Sequence, residues 1–215
     1  MKRSSRLAPR DWIGLALVLA GFILRLRQYL ANRSLWLDEA MLSNNILSRS
    51  FAGLFQPLSN DQGAPIGFLL IQKAITLCLG DSEYALRLFP FLAGCLSLVL
   101  MFLLARKVAS SFAGSLTLAL FAFSPALIYY ASEVKQYSSD VAIVLGLCLL
   151  FLEVEGKELK YRDAVLPALV GMLAIWFSHP ALFVLGGLGL ALFLPALRKK
   201  EVRKILTLLL IAVAW

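Results

Sequence analysis

Long apolar runs separated by short basic clusters set the plan of this chain. Runs at 12–30, 84–105, 112–132, 137–152, 164–178 and 180–197 approach the roughly 20 residues that span a bilayer, and a seventh begins at 205. This pattern predicts an all-α, polytopic transmembrane helical bundle. The run at 65–79 is shorter, and its Gln72, Lys73 and Thr76 fall on one helical face, which fits a helix lying in the membrane interface. In the same loop Leu42, Ile46, Leu47, Phe51, Leu54 and Phe55 recur at helical spacing, predicting a second interfacial helix over 39–55. Between the two, Asn60-Asp61-Gln62-Gly63 forms a turn, and Pro65 suits the first position of the helix that follows. Ser124-Pro125 should bend or break the third span near its outer end.

Composition supports lipid as part of the solvent. Hydrophobic residues make up 60% of the 215 and charged residues only 16%, more apolar surface than a soluble fold of this size hides. The net charge of +8 lies in clusters between apolar runs, without the basic-aromatic interleaving of a nucleic-acid binder, so no nucleic acid is expected as a partner. If 65–79 does not cross and the N-terminus is cytoplasmic, the inner segments are 1–11, 106–107, 153–163 and 198–204. These carry 14 of the 21 Lys and Arg residues. The opposite choice turns Arg106, Lys107 and the 198–204 cluster outward. The expected protein is therefore multi-pass in the cell membrane, with a long outer loop over 31–83 and outer turns near 133–140 and 179.

Lys2, Arg3, Arg6 and Arg10 precede an apolar run without a small-x-small cleavage site, so the first span reads as a retained anchor. Cys78, Cys95 and Cys148 are isolated in apolar stretches and read as small hydrophobes. The run from 205 to the last residue is about half a span, so residues 1–215 are expected to be the N-terminal part of a larger transmembrane domain.

The outer side collects the chain's candidate chemistry: Asp38, Glu39, Arg87, Glu133, Lys135, Tyr137 and His179, joined by Arg25 and Arg27 at the outer end of the first span. Each has a structural and a functional reading. Asp38 caps the following helix and Glu39 favours its positive end, or one of them takes a proton from an acceptor hydroxyl as a general base. Arg87 pairs with Glu83 one turn earlier, or binds a phosphate. Tyr129, Tyr130, Glu133, Lys135 and Tyr137 form an aromatic belt with a snorkelling lysine, or line a site. His179, the only histidine, bonds within the interface or serves as a ligand. Walker, Rossmann, HExxH and GxSxG patterns do not occur, which leaves ATP hydrolysis, zinc proteolysis and lipase chemistry without support.

Taken in order, four segments resemble the membrane-embedded glycosyltransferases of the GT-C fold, in particular the family-39, protein-mannosyltransferase-like group. They are Ser34-Leu-Trp-Leu-Asp-Glu-Ala40, Ala64-Pro-Ile-Gly-Phe-Leu-Leu70, Ser82-Glu-Tyr-Ala-Leu-Arg-Leu-Phe-Pro90 and Ser124-Pro followed by Tyr130-Ala-Ser-Glu-Val-Lys-Gln-Tyr137. The resemblance runs from the first span to about His179. It implies a GT-C bundle with two interfacial helices in the first outer loop, a polyprenyl-phosphate sugar donor, and inverting transfer outside the cytoplasm. Asp38 and Glu39 take the place of the family's acidic pair, and Arg87 that of its arginine.

In this scheme Asp38 is the base and Glu39 orients the acceptor or Arg87. Arg87, Glu133, Lys135, Tyr137 and His179 bind substrate, and the acceptor is a glycan, a lipid or a protein. Some relatives carry Glu-Lys-Pro-Pro before the second interfacial helix, where this chain reads Gln62-Gly-Ala-Pro65. No metal site and no resident cofactor are therefore expected, with a divalent cation left open. The competing readings are a transporter or lipid flippase, which calls for midplane charges and repeated halves, and a non-catalytic membrane subunit.

Overall fold

The computed structural model describes residues 9–155 and 161–215. Lys2, Arg3, Arg6, Lys157 and Lys160, part of the charge count above, lie outside the described residues. The helices are α1 (Pro9–Leu30), α2 (Leu37–Ser48), α3 (Ile66–Leu79), α4 (Glu83–Val108), α5 (Ser111–Ala122), α6 (Pro125–Tyr130), α7 (Tyr137–Glu155), α8 (Val165–Phe177), α9 (Pro180–Arg198) and α10 (Val202–Ala214). Single 3-10 turns lie at Ala52–Phe55 and Tyr161–Ala164, and no strand occurs among the described residues. Among the described residues four helices, α1, α4, α7 and α9, are long and apolar enough to cross a membrane.

α4 is the hub, packed against α1, α5 and α7, while α7, α8, α9 and α10 form the adjoining group. Small residues permit the close approaches. A Cβ on Gly94 of α4 would stand 2.7 Å from the Ala131 Cβ, so this glycine brings the segment after α6 directly against α4. At the cytoplasmic end of the sequence-based topology, Arg106 of α4 pairs with Asp11 of α1 at 3.2 Å.

Pro125 divides α5 from α6 and Pro90 interrupts the hydrogen bonding within α4, and a buried polar side chain answers each gap. Residues 112–132 do not form one helix. α5 ends at Ala122 and α6 restarts with Pro125 at its first position, where the missing N–H costs nothing. The Ala122 carbonyl left at this break accepts from Arg25 Nη1 at 3.2 Å, and the same nitrogen donates to the Gly21 carbonyl at 3.1 Å. Arg25, buried inside the first long helix, thus caps another helix.

The second break is inside α4. Pro90 has no N–H for the carbonyl four residues earlier, that of Leu86. Gln72 Nε2 on α3 donates to that carbonyl at 2.6 Å. On the next position, Lys73 Nζ donates at 2.9 Å to the Leu47 carbonyl in the last turn of α2.

These bonds correct the reading of the polar stripe on α3. Gln72, Lys73 and Thr76 do not face headgroups; they are buried toward α2 and α4, while Leu77 and Leu79 are exposed. Gln72 and Lys73 stand in the stripe because carbonyls at a proline and at a helix end need donors, while Thr76 donates to the Lys73 carbonyl of its own helix at 3.0 Å. The helix expected over 39–55 is also two pieces: α2 stops at Ser48, Arg49 is extended, and the 3-10 turn follows. Leu42, Ile46 and Leu54 nevertheless share one core with Phe68, Leu69, Leu86 and Val134. That core welds the first loop to α4 and to the segment before α7.

Gln72→Leu should leave the Leu86 carbonyl buried and unpaired, at a cost of about 1–3 kcal/mol. Thermal unfolding in detergent reads this directly, and an unchanged midpoint would mean that the carbonyl has another partner.

Candidate active site

The site begins with a backbone requirement of α2. Trp36 caps the helix in an extended conformation, and its N–H is accepted by Glu39 Oε2 at 3.0 Å. Asp38 is therefore not the cap; it occupies the second helical position, with its side chain free for other work. Trp36 and Leu37 are exposed beside it, whereas Leu35 packs on the loop core.

Glu39 is 0% exposed and faces Arg87, which is 1% exposed. The guanidinium grips the carboxylate through Nε to Oε1 at 3.3 Å and through Nη2 to both oxygens at 3.2 Å. Its Nη1 donates to the Arg33 carbonyl and lies 3.8 Å from Glu83 Oε2, so the ordinary one-turn pair is present but secondary. Glu39 Oε1 also accepts the Val134 N–H at 2.9 Å, and Arg33 approaches Oε2 at 3.6 Å. A buried ion pair is tolerable when its remaining lone pairs and protons are satisfied, as they are here.

Arg33 extends the network to α6. It donates to the Tyr129 hydroxyl at 2.7 Å and lies over the ring at 4.1 Å.

The neighbours of this buried knot meet outside it. Asp38 precedes Glu39, Lys135 follows Val134, and Lys135 Nζ lies 2.8 Å from Asp38 Oδ2. Gln62 closes a ring: its Nε2 donates to Asp38 Oδ1 at 2.9 Å and its Oε1 accepts from Lys135 at 2.8 Å. About half of the Asp38 side chain is exposed (49%). The hydrogen bond from Lys135, then that from Gln62, holds its carboxyl below the usual carboxylate range.

Glu133 is the opposite case. It is 7% exposed, its Oε2 has no hydrogen-bond partner among the described residues, and burial, reinforced by Glu39, pushes its carboxyl up. The signs for stability differ accordingly. The Asp38 contribution is present above the ordinary carboxylate range and lost as pH falls through its lowered value. The Glu133 contribution is present at acid pH and lost as pH rises through its raised value.

Gln62 and His179 share the lining of a cavity of about 600 Å³ with Leu54, Phe55, Pro65 and Trp176. His179 is exposed there, just before Pro180 opens α9. Tyr137 is half-exposed and rests on Tyr130 at 4.8 Å between ring centres. A second cavity, about 430 Å³ and almost wholly apolar, lies between α7, α9 and α10, away from these groups.

The structure thus joins Asp38 to Lys135 and buries Glu39, Arg87 and Glu133 beneath or beside them, whereas His179 lines a cavity that reaches the pair only through Gln62. Sequence reasoning missed Arg33 and Gln62. The sequence showed Gln62 in a turn and at the place where some relatives carry a glutamate, but not beside Asp38 and Lys135, because these partners lie 24 and 73 residues away.

A family model described as dolichyl-phosphate-mannose-protein mannosyltransferase matches residues 63–215. The chain belongs to this family. The match includes Arg87, Glu133, Lys135, Tyr137 and His179 and begins after Asp38 and Glu39. No curated protein and no solved structure matches the chain. Mannosyltransferase-family membership and four membrane-length helices make it a membrane glycosyltransferase, as its motif order implied.

Glu39→Gln should strand the buried Arg87 charge, a loss of about 3–5 kcal/mol of stability. The double substitution Glu39→Leu with Arg87→Leu should recover part of that loss. Chemical or thermal unfolding of the three proteins checks both expectations.

Proposed function

We propose that this chain transfers a sugar from a polyprenyl-phosphate donor to an acceptor hydroxyl on the extracytoplasmic side, with inversion and with Asp38 as general base. The observation that carries this reading is the half-exposed Asp38 held at 2.8 Å from Lys135, in a ring whose third member, Gln62, lines the cavity shared with His179. A carboxylate and an ammonium side by side supply the two functions that the reaction needs. Asp38 takes the proton of the acceptor hydroxyl as its oxygen attacks the anomeric carbon. The bond from that carbon to the phosphate oxygen breaks, its electron pair passes to the lipid phosphate, and Lys135 stabilises the charge that grows there. His179 and Tyr137 contact the substrates, and Glu133, buried next to the pair, keeps Lys135 in a polar setting.

Arg87 takes a different role from the phosphate binding that the sequence suggested. Its donors point at Glu39 and the Arg33 carbonyl, and almost none of it is exposed, so it positions the helix bearing Asp38. The residues around Asp38 do not suit a divalent cation. Lys135 already sits against one carboxylate oxygen and the Gln62 amino group against the other, and an ammonium there repels a dication.

Asp38→Asn should lower transfer by about 10²–10⁴ while leaving donor binding largely intact, because the amide cannot accept the proton. Lys135→Met should instead weaken donor binding. Both are read with radiolabelled polyprenyl-phosphate sugar and the full-length protein. Wild-type kcat/KM for the donor should fall in acid only below the ordinary carboxylate range, where Asp38 of the donor-free enzyme protonates. For sidedness, D61C in a background lacking Cys78, Cys95 and Cys148 should react with an impermeant thiol reagent added outside. Labelling only from the cytoplasm would reverse the topology.

A further inference from the structure

Gln62 is the one uncharged member of the ring around Asp38, and its chemistry fixes its orientation. An ammonium only donates and an ionised carboxylate only accepts, so the amide must turn Oε1 to Lys135 and Nε2 to Asp38. The turn that carries it is anchored from two sides. Asn45 of α2 donates to the Ser59 carbonyl at 3.2 Å and accepts the Ser59 N–H at 2.9 Å. Arg49 donates to the Ser59 hydroxyl and the Pro57 carbonyl, both at 2.9 Å. Asn60 and Asp61 follow with φ of 60° and 51°, left-handed positions that turn the chain back so that Gln62 reaches Asp38. The side chain is thus held by a built loop, and it lines the 600 Å³ cavity at the same time.

We propose that Gln62 is the positioning residue of the transfer site: it holds Asp38 by one oxygen while Lys135 leaves the other for the donor phosphate. The proposal rests on the function assigned above. In the ring as it stands, both Asp38 oxygens are engaged, and a carboxylate with its lone pairs occupied is a poor proton acceptor. A phosphate offers the ammonium more charge and more acceptor oxygens than one carboxylate. When Lys135 turns to it, Oδ2 becomes free to accept the hydroxyl proton, and the Gln62 bond to Oδ1 prevents the carboxylate from swinging away. Donor binding then arms the base, and an acceptor arriving first meets a carboxylate that is still neutralised. A glutamine suits this post because it satisfies a cation and an anion together without adding charge. Glutamate there would bind Lys135 and repel Asp38, and leucine would serve neither.

The test is the pH profile of transfer by the full-length protein, reconstituted with a defined polyprenyl-phosphate sugar, for wild type, Gln62→Leu and Gln62→Glu. Gln62→Leu should lower kcat by about 10–100-fold, the size expected for a lost hydrogen bond to a charged group, with a smaller change in donor KM. Its acid limb should move to higher pH, because the ionised form of Asp38 has lost a donor. Gln62→Glu, nearly the same shape, should move the limb further in that direction and raise donor KM by holding Lys135 back. Should Gln62→Leu not fold, Gln62→Glu still reads the limb. An acid limb unmoved in the variant that folds, whether or not its kcat falls, overturns the positioning role and leaves the glycosyltransferase reading standing. Absence of any transfer by the wild-type protein, across donors, overturns both.

Discussion

A carboxylate placed out of contact with water must find its counter-charge and fill its lone pairs inside the protein, and Glu39 does so with groups from four places in the chain. The guanidinium comes from Arg87 on α4, a backbone N–H from Val134, another from Trp36, and a longer ion pair from Arg33. Desolvation makes this knot all or nothing, since each partner removed leaves a buried charge or donor unsatisfied. Its value lies in geometry more than in net stability. The first outer loop, the start of α4 and the segment between α6 and α7 are far apart in sequence, and satisfying one side chain fixes all three.

The same economy governs the prolines. Pro125 and Pro90 each interrupt helical hydrogen bonding and leave a carbonyl without its usual donor, and in a low-dielectric setting that carbonyl is as demanding as a charge is on a smaller scale. Arg25 answers the break before Ser124, and Gln72 answers the one that Pro90 makes in α4. Polar residues on apolar helices here serve backbone defects as often as chemistry, which is why a polar residue in a span is an ambiguous sign until its partner is known.

That ambiguity marks the limit of what the sequence discloses. Runs of apolar residues set by bilayer thickness made the helical, membrane-embedded class legible, and the Ser124-Pro125 break followed from the missing proline N–H. Asp38-Glu39, Arg87 and Lys135 stood out because ionisable groups near a membrane are costly. The α3 stripe was misread because periodicity reports that one face is polar, not whether water or a carbonyl meets it. It was equally silent on which acid of the Asp38-Glu39 pair is buried. One helical position turns a side chain by about 100°, and only the packing of α2 on α3 and α4 decides which of the two goes in. The roles of Gln62 and Arg33 were invisible, being defined by partners across the fold.

The Val134 amide on Glu39 has a mechanical consequence. Asp38 and Lys135 each sit one residue from opposite ends of that single 2.9 Å bond, so a tilt of the bundle carries them together and leaves their separation nearly unchanged. The far wall of the cavity, Trp176 and His179 at the junction of α8 and α9, belongs to other helices, and among the described residues no hydrogen bond ties it to Glu39 or Val134. Changes in bilayer thickness are therefore expected to widen or narrow the entrance without detuning the pair within, so that lipid composition acts on access and not on the reactive distance.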